Sequence, residues 1–64
     1  MENLVCDMRT SIGKTVLIVG GNENYIGQSG LLTRIAGEVY PFQYGVLLDS
    51  GEWLVWRGDE LQEI

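Results

Sequence analysis

The stretch Tyr44-Gly45-Val46-Leu47-Leu48-Asp49, followed by Ser50-Gly51 and then by Glu52-Trp53-Leu54-Val55-Trp56-Arg57, decides the fold. Two apolar runs rich in β-branched and aromatic residues flank a short polar segment ending in glycine, which is the local signature of a β-hairpin. A two-residue loop at Ser50-Gly51 pairs the strands outward from Asp49 and Glu52. Leu48 then faces Trp53, Val46 faces Val55 and Tyr44 faces Arg57 on one side of the sheet. Leu47 faces Leu54 and Gly45 faces Trp56 on the other, with the indole of Trp56 lying over bare glycine backbone. A half-solvated hairpin carries one apolar and one polar face, whereas this one reads as apolar on both.

Upstream, Thr15-Val16-Leu17-Ile18-Val19 is a continuous β-branched run, as expected of a buried strand. Gly20-Gly21-Asn22-Glu23-Asn24 breaks it, and Tyr25 to Gly30 forms an irregular glycine-punctuated segment. Leu31-Leu32-Thr33-Arg34-Ile35 reads as the next strand and Ala36-Gly37-Glu38 as a turn. Pro41 within Val39-Tyr40-Pro41-Phe42-Gln43 argues for an edge or loop. Arg57-Gly58-Asp59-Glu60 is a further turn. Leu61-Gln62-Glu63-Ile64 reads as one 3-10 turn leading into a final edge strand. Leu4-Val5-Cys6 has the composition to start a strand, and Arg9 to Lys14 reads as a loop. No segment holds a helical period for three turns. The expected fold class is all-β, a small barrel of about five short antiparallel strands with one short 3-10 turn near the C-terminus.

Sixty-four residues make one domain. A chain of this size buries only about 60% of the surface it exposes when unfolded, so apolar side chains are left over. Hydrophobic residues at 45% exclude a disordered chain. The longest apolar runs are too short to span a bilayer, and no leader segment is evident. Cys6 is the single cysteine, which rules out an internal disulfide and favours a reducing, cytoplasmic setting. It reads best as a small buried apolar residue. The chain has no histidine, the commonest general base and metal ligand. Asp59-Glu60 and the pair Asp49 and Glu52 lie on turns, where solvated carboxylates serve as turn formers and surface charge. Ser11, Ser29 and Ser50 lack a base to activate them. No catalytic residues, metal or cofactor are expected, and the chain reads as not an enzyme.

Two glycine motifs invite a phosphate-binding reading and fail it. Val16-Leu17-Ile18-Val19-Gly20-Gly21 has the strand and glycines of a dinucleotide site, yet Gln28-Ser29-Gly30 interrupts where a helix N-terminus must meet phosphate. Gly13-Lys14-Thr15 lacks the upstream glycine of a P-loop, because Met8 stands in its place, and a strand follows.

Two patterns together resemble the SH3-like barrel, and in particular its KOW-type members. One is the buried strand, the glycine break and Tyr25-x-Gly27-x-x-Gly30 running into Leu31–Ile35. The other is Val46-x-Leu48-Asp49-x-Gly51 followed by Asp59-Glu60-Leu61-x-x-Ile64. The resemblance covers residues 15–64 and implies a barrel over that span, with residues 1–14 as an N-terminal segment packing on it. It also implies binding to RNA or to ribosome and transcription complexes. Here Lys14, Arg34 and Arg57 are scattered among nine carboxylates, and the net charge is −5. That balance repels phosphate and points to protein instead. A nucleic-acid mimic would need Glu38, Asp49, Glu52, Asp59, Glu60 and Glu63 on one face. Tyr25 and Tyr40 with Trp56 are the aromatics available for a peptide groove.

The functional expectation is therefore a small acidic protein-binding module, an adaptor or inhibitor such as a phage or prophage accessory protein. Its partner is another protein or a second copy of itself, and no small-molecule substrate is evident. The expected binding residues are Leu47, Leu54 and Trp56 of the second apolar face, with Tyr40 and Phe42 beside them.

Overall fold

The structure, a computed structural model, describes residues 8–37, 39 and 42–64. Among these, five strands form one antiparallel sheet: β1 (Thr15–Ile18), β2 (Ser29–Gly37), β3 (Gln43–Leu48), β4 (Trp53–Arg57) and β5 (Leu61–Glu63). Their order is β4-β3-β2-β1-β5. The all-β class expected from sequence is what the chain adopts. There are two 3-10 turns where sequence suggests one. Arg9–Ser11 adds the first, and the second falls at Gly58–Glu60 rather than at Leu61, which already belongs to β5. β2 continues through Ala36 and Gly37, which sequence alone reads as a turn. The expected strand at Leu4-Val5-Cys6, with Glu38, Tyr40 and Pro41, lies outside the described residues.

One sheet with no covering helix or second sheet among the described residues can bury side chains only by curling around them. The bending is built into β2. Its pairing with β3 shifts register between Leu32 and Arg34 and again between Ile35 and Gly37. Such bulges kink a strand and increase its twist. The concave side then closes on Val16 and Ile18 from β1, Leu32 from β2, Tyr44, Val46 and Leu48 from β3, Trp56 from β4 and Leu61 from β5. Each fully buried aliphatic side chain here contributes about 1.5–3 kcal/mol. Tyr44 sits at the centre with no exposed surface, and its hydroxyl accepts a hydrogen bond from the Met8 backbone N–H at 3.2 Å.

The terminal hairpin forms with a register that differs by one residue from the simplest reading. Leu48 N–H donates to the Glu52 carbonyl at 2.8 Å and Gly51 N–H to the Leu48 carbonyl at 2.9 Å. The loop is therefore Asp49-Ser50-Gly51, three residues rather than two. Gly51 has φ +99°, the left-handed conformation that closes a three-residue hairpin with a bulge. The pairs become Leu47 with Trp53, Val46 with Leu54, Gly45 with Val55 and Tyr44 with Trp56. A slip of one residue turns every β4 side chain to the opposite face relative to β3. Trp56 and Leu54 thus join Tyr44 and Val46 inside, whereas Trp53 and Val55 join Leu47 outside.

The first 3-10 turn is fastened to the far end of the sheet. The buried Ser11 hydroxyl donates to Glu63 Oε1 of β5 at 2.6 Å, and Lys14 Nζ lies 3.6 Å from Glu63 Oε2. The Ser11 hydrogen bond, and then the Lys14 charge, hold the Glu63 carboxyl below its ordinary range. A carboxyl depressed in the folded state adds stability above its unfolded pKa, and that stability is lost as pH falls through the folded value. Ser11→Ala should move the Glu63 midpoint, followed by carboxyl NMR, back up toward the ordinary range. An unchanged midpoint would show that this bond does not set it.

Candidate functional site

The corrected register decides which of the expected binding residues meet. Leu47 lies on the outer face of β3, while Leu54 and Trp56 face the core from β4, so the three do not share a surface. Trp56 is 5% exposed and belongs to the core, which removes it as an outward anchor. Phe42 is half-buried against the core, with the Arg9 guanidinium 5.2 Å from its ring centroid. Tyr40 lies outside the described residues.

A different apolar surface occupies the outer face of β2, β3 and β4. Leu31, Leu47 and Trp53 stand opposite one another across the three strands, and Val55 follows Trp53 along β4. Their exposures are 42, 41, 39 and 40% respectively. Sequence reading missed Trp53 and Val55 because it assigned the β4 residues to the wrong side, and Leu31 because it gave β2 no pairing register. The available signal was Asp49-Ser50-Gly51, with glycine at the fourth position of the turn that begins at Leu48, as a type I turn prefers.

Trp53 is held in one orientation. Its indole covers Gly45 on the neighbouring strand, where a Cβ would stand 2.1 Å from Cζ2. Its Nε1–H donates to Thr33 Oγ1 at 2.9 Å, and the Thr33 hydroxyl in turn donates to the Gly45 carbonyl at 2.9 Å. The Arg34 guanidinium lies 4.7 Å from the ring centroid, within cation–π range. The bulge in β2 puts Thr33 and Arg34 consecutively beside this ring. Covering of Gly45 by a tryptophan is realised, with Trp53 rather than Trp56 as the cover.

A second feature runs beside the free edge of β4. Tyr25, from the β1–β2 connection, meets Trp56 edge to face at 5.8 Å and donates through its hydroxyl to Glu52 Oε2 at 3.3 Å. Burial, then the Glu52 charge and hydrogen bond, raise the Tyr25 pKa above the ordinary phenol value. Between this tyrosine with Gly21 and Asn22 on one side and Leu54, Val55 and Trp56 on the other is a hollow of about 300 Å³. A second hollow of about 460 Å³ continues along Val55, Trp56 and Arg57 toward Gln43. Of the three aromatics available for a peptide groove, Tyr25 and Trp56 are in contact here, and Tyr40 lies outside the described residues.

The charged groups are dispersed. Lys14 pairs with Glu63, Arg57 lies 3.2 Å from Asp59, Arg34 stacks on Trp53 and Arg9 stands over Phe42. These are exposed contacts of small individual worth. Asp49 and Glu52 flank one end of β4, Asp59 and Glu60 lie past its other end, and Glu63 is on the opposite edge strand. A single carboxylate face of the kind a nucleic-acid mimic needs is therefore not assembled by the described members of that set. Among the described residues no group of three or more His, Cys, Asp or Glu is placed to hold a metal ion. None of their helices is long and apolar enough to cross a membrane.

Gly45→Ala tests the seating of Trp53. The added methyl must displace the indole, so emission should shift to the red and stability should fall by about 1–3 kcal/mol in urea titration. Unchanged emission would mean that the ring does not rest on Gly45. Comparison with protein-family models, with curated proteins and with solved structures finds no match for the chain.

Proposed function

We propose that the protein is a small binding module that docks on another protein through the outer face of β2, β3 and β4. The observation that carries this reading is the row Leu31, Leu47 and Trp53, with Val55 beside it, apolar and two-fifths exposed on one sheet face. A contiguous apolar patch is a feature of binding surfaces, and tryptophan is among the residues that most often dominate them. Trp53 is already immobilised by Gly45, Thr33 and Arg34, so less side-chain entropy is lost when a partner covers it. The net charge of −5 favours a partner whose apolar patch has a basic surround.

The strand order β4-β3-β2-β1-β5, with a 3-10 turn between β4 and β5, supports an SH3-like barrel as the framework. The lone cysteine supports a reducing, cytoplasmic setting. An adaptor or inhibitor role fits this size and surface, and the reading assigns the chain no catalysis.

Leu47→Lys and Leu31→Lys put charge into the face without touching the core. Tagged wild-type chain should retain a basic protein from its native host, and the variants should retain at least tenfold less with unchanged circular dichroism and urea midpoint. Added salt should weaken the wild-type contact. Equal retention by wild type and variants, or no retained protein at all, would overturn the reading.

A further inference from the structure

The main-chain edge of β4 is self-complementary. Leu48 and Glu52 form a hydrogen-bonded pair, so in the antiparallel ladder Val46 with Leu54 and Tyr44 with Trp56 are also bonded pairs. The alternating residues Trp53 and Val55 therefore direct their N–H and C=O groups away from β3, to the outside of the sheet. β4 ends the strand order, and the backbone hydrogen bonds outside the strands include none to Trp53 or Val55 among the described residues. Arg57 is the next residue of the same parity, and its N–H already donates to Glu60 Oε1 at 2.9 Å. Among the described residues the unused edge is thus confined to two residues and four groups.

Both hollows are lined by Val55 and Trp56 and neither by Trp53, so open space adjoins the strand at Val55. Tyr25 meets Trp56 and Glu52, residues of the inner-facing parity, rather than Trp53 and Val55. The other edge of the sheet is protected in the usual way, since β5 is only three residues long and carries the Glu63–Lys14 pair. β4 has five residues, Trp-Leu-Val-Trp-Arg, without proline, lysine or a bulge.

The geometry points to a homodimer in which β4 pairs antiparallel with β4 of a second copy about a twofold axis at Leu54. In that register Trp53 is opposite Val55 of the partner subunit, and Val55 is opposite Trp53 of the partner subunit. All four outward groups of each copy are satisfied, and the Arg57–Glu60 cap is undisturbed. The cross-strand pairs are aromatic with β-branched, a favourable combination on a sheet face. The two outer apolar rows become continuous across the axis. A second copy is the occupant because the same two residues supply both halves of the ladder, as an isologous contact requires. A standard interface takes about 800 Å² per partner, against 4176 Å² for the whole chain. One short strand pair with its flanking side chains covers less than that, so the dimer forms at high micromolar concentration. The inference deepens the protein-binding reading by naming one partner and an edge next to the proposed face.

Sedimentation equilibrium of the full chain up to about 1 mM should show a monomer–dimer equilibrium. The association should strengthen as salt rises from about 0.05 to about 0.5 M, because screening relieves repulsion between two copies of charge −5. Val55→Pro removes an edge N–H and leaves the β3 ladder intact, so it should weaken association about tenfold or more. Disulfide trapping gives an answer even if that variant does not fold. In a Cys6→Ser background, Leu54→Cys should oxidise to a covalent dimer, since facing residues at a non-bonded pair have Cβ atoms about 4.5–5.5 Å apart. Leu47→Cys should remain monomeric. A strict monomer at about 1 mM, or trapping through Leu47 and not Leu54, would overturn the edge pairing. Because Leu47→Lys tests the face and trapping through Leu54, which is not part of that face, tests the edge, failure of one is distinguishable from failure of the other.

Discussion

A single antiparallel sheet that must serve as its own cover is the constraint on which this molecule depends. Tyr44, Val46, Leu32, Val16 and Ile18 are shielded from water because β2 bends at its two register shifts and brings both ends of the sheet around them. The requirement fixes which side of each strand is inward, and so determines which apolar side chains remain outside. Curling leaves a convex face whose residues cannot turn inward without exposing their neighbours. Leu31, Leu47, Trp53 and Val55 occupy that face as a consequence of the geometry that protects the core.

Much of this was legible in the residues. The apolar run from Thr15, the glycine breaks, the run from Leu31 and the terminal hairpin all appear as strands and turns where their composition places them. Turn chemistry and β-branching act locally, so a short window carries the information. The partition of the hairpin into faces was not legible to the same degree. It hangs on whether Asp49 is the last strand residue or the first loop residue, a difference of one position that propagates through all of β4. Glycine at the fourth position of the turn from Leu48 was the local clue, and the weight of two tryptophans obscured it. Both are equally apolar, so composition could not say that Trp56 belongs inside and Trp53 outside. Ser11 with Glu63, and Met8 with Tyr44, were beyond sequence reading because they join residues 52 and 36 positions apart.

The outer face is more ordered than an accidental residue of folding would be. Thr33, Arg34 and Gly45 come from two different strands and converge on one indole. The bulge at Thr33 and Arg34 thus has two effects, since it bends β2 for the core and turns two consecutive side chains to the outside.

The placement of β5 beside β1 sets the order in which the molecule comes together. β2, β3 and β4 follow one another as a meander of near neighbours, whereas β1 finds β5 only across more than forty intervening residues, as in the pairing of Val16 with Glu63. Closing so wide a loop has an entropic penalty that local hairpins escape. Loop closure therefore favours the meander as the earlier contact and the β1–β5 seam as the later one. That seam lies at the opposite end of the strand order from β4.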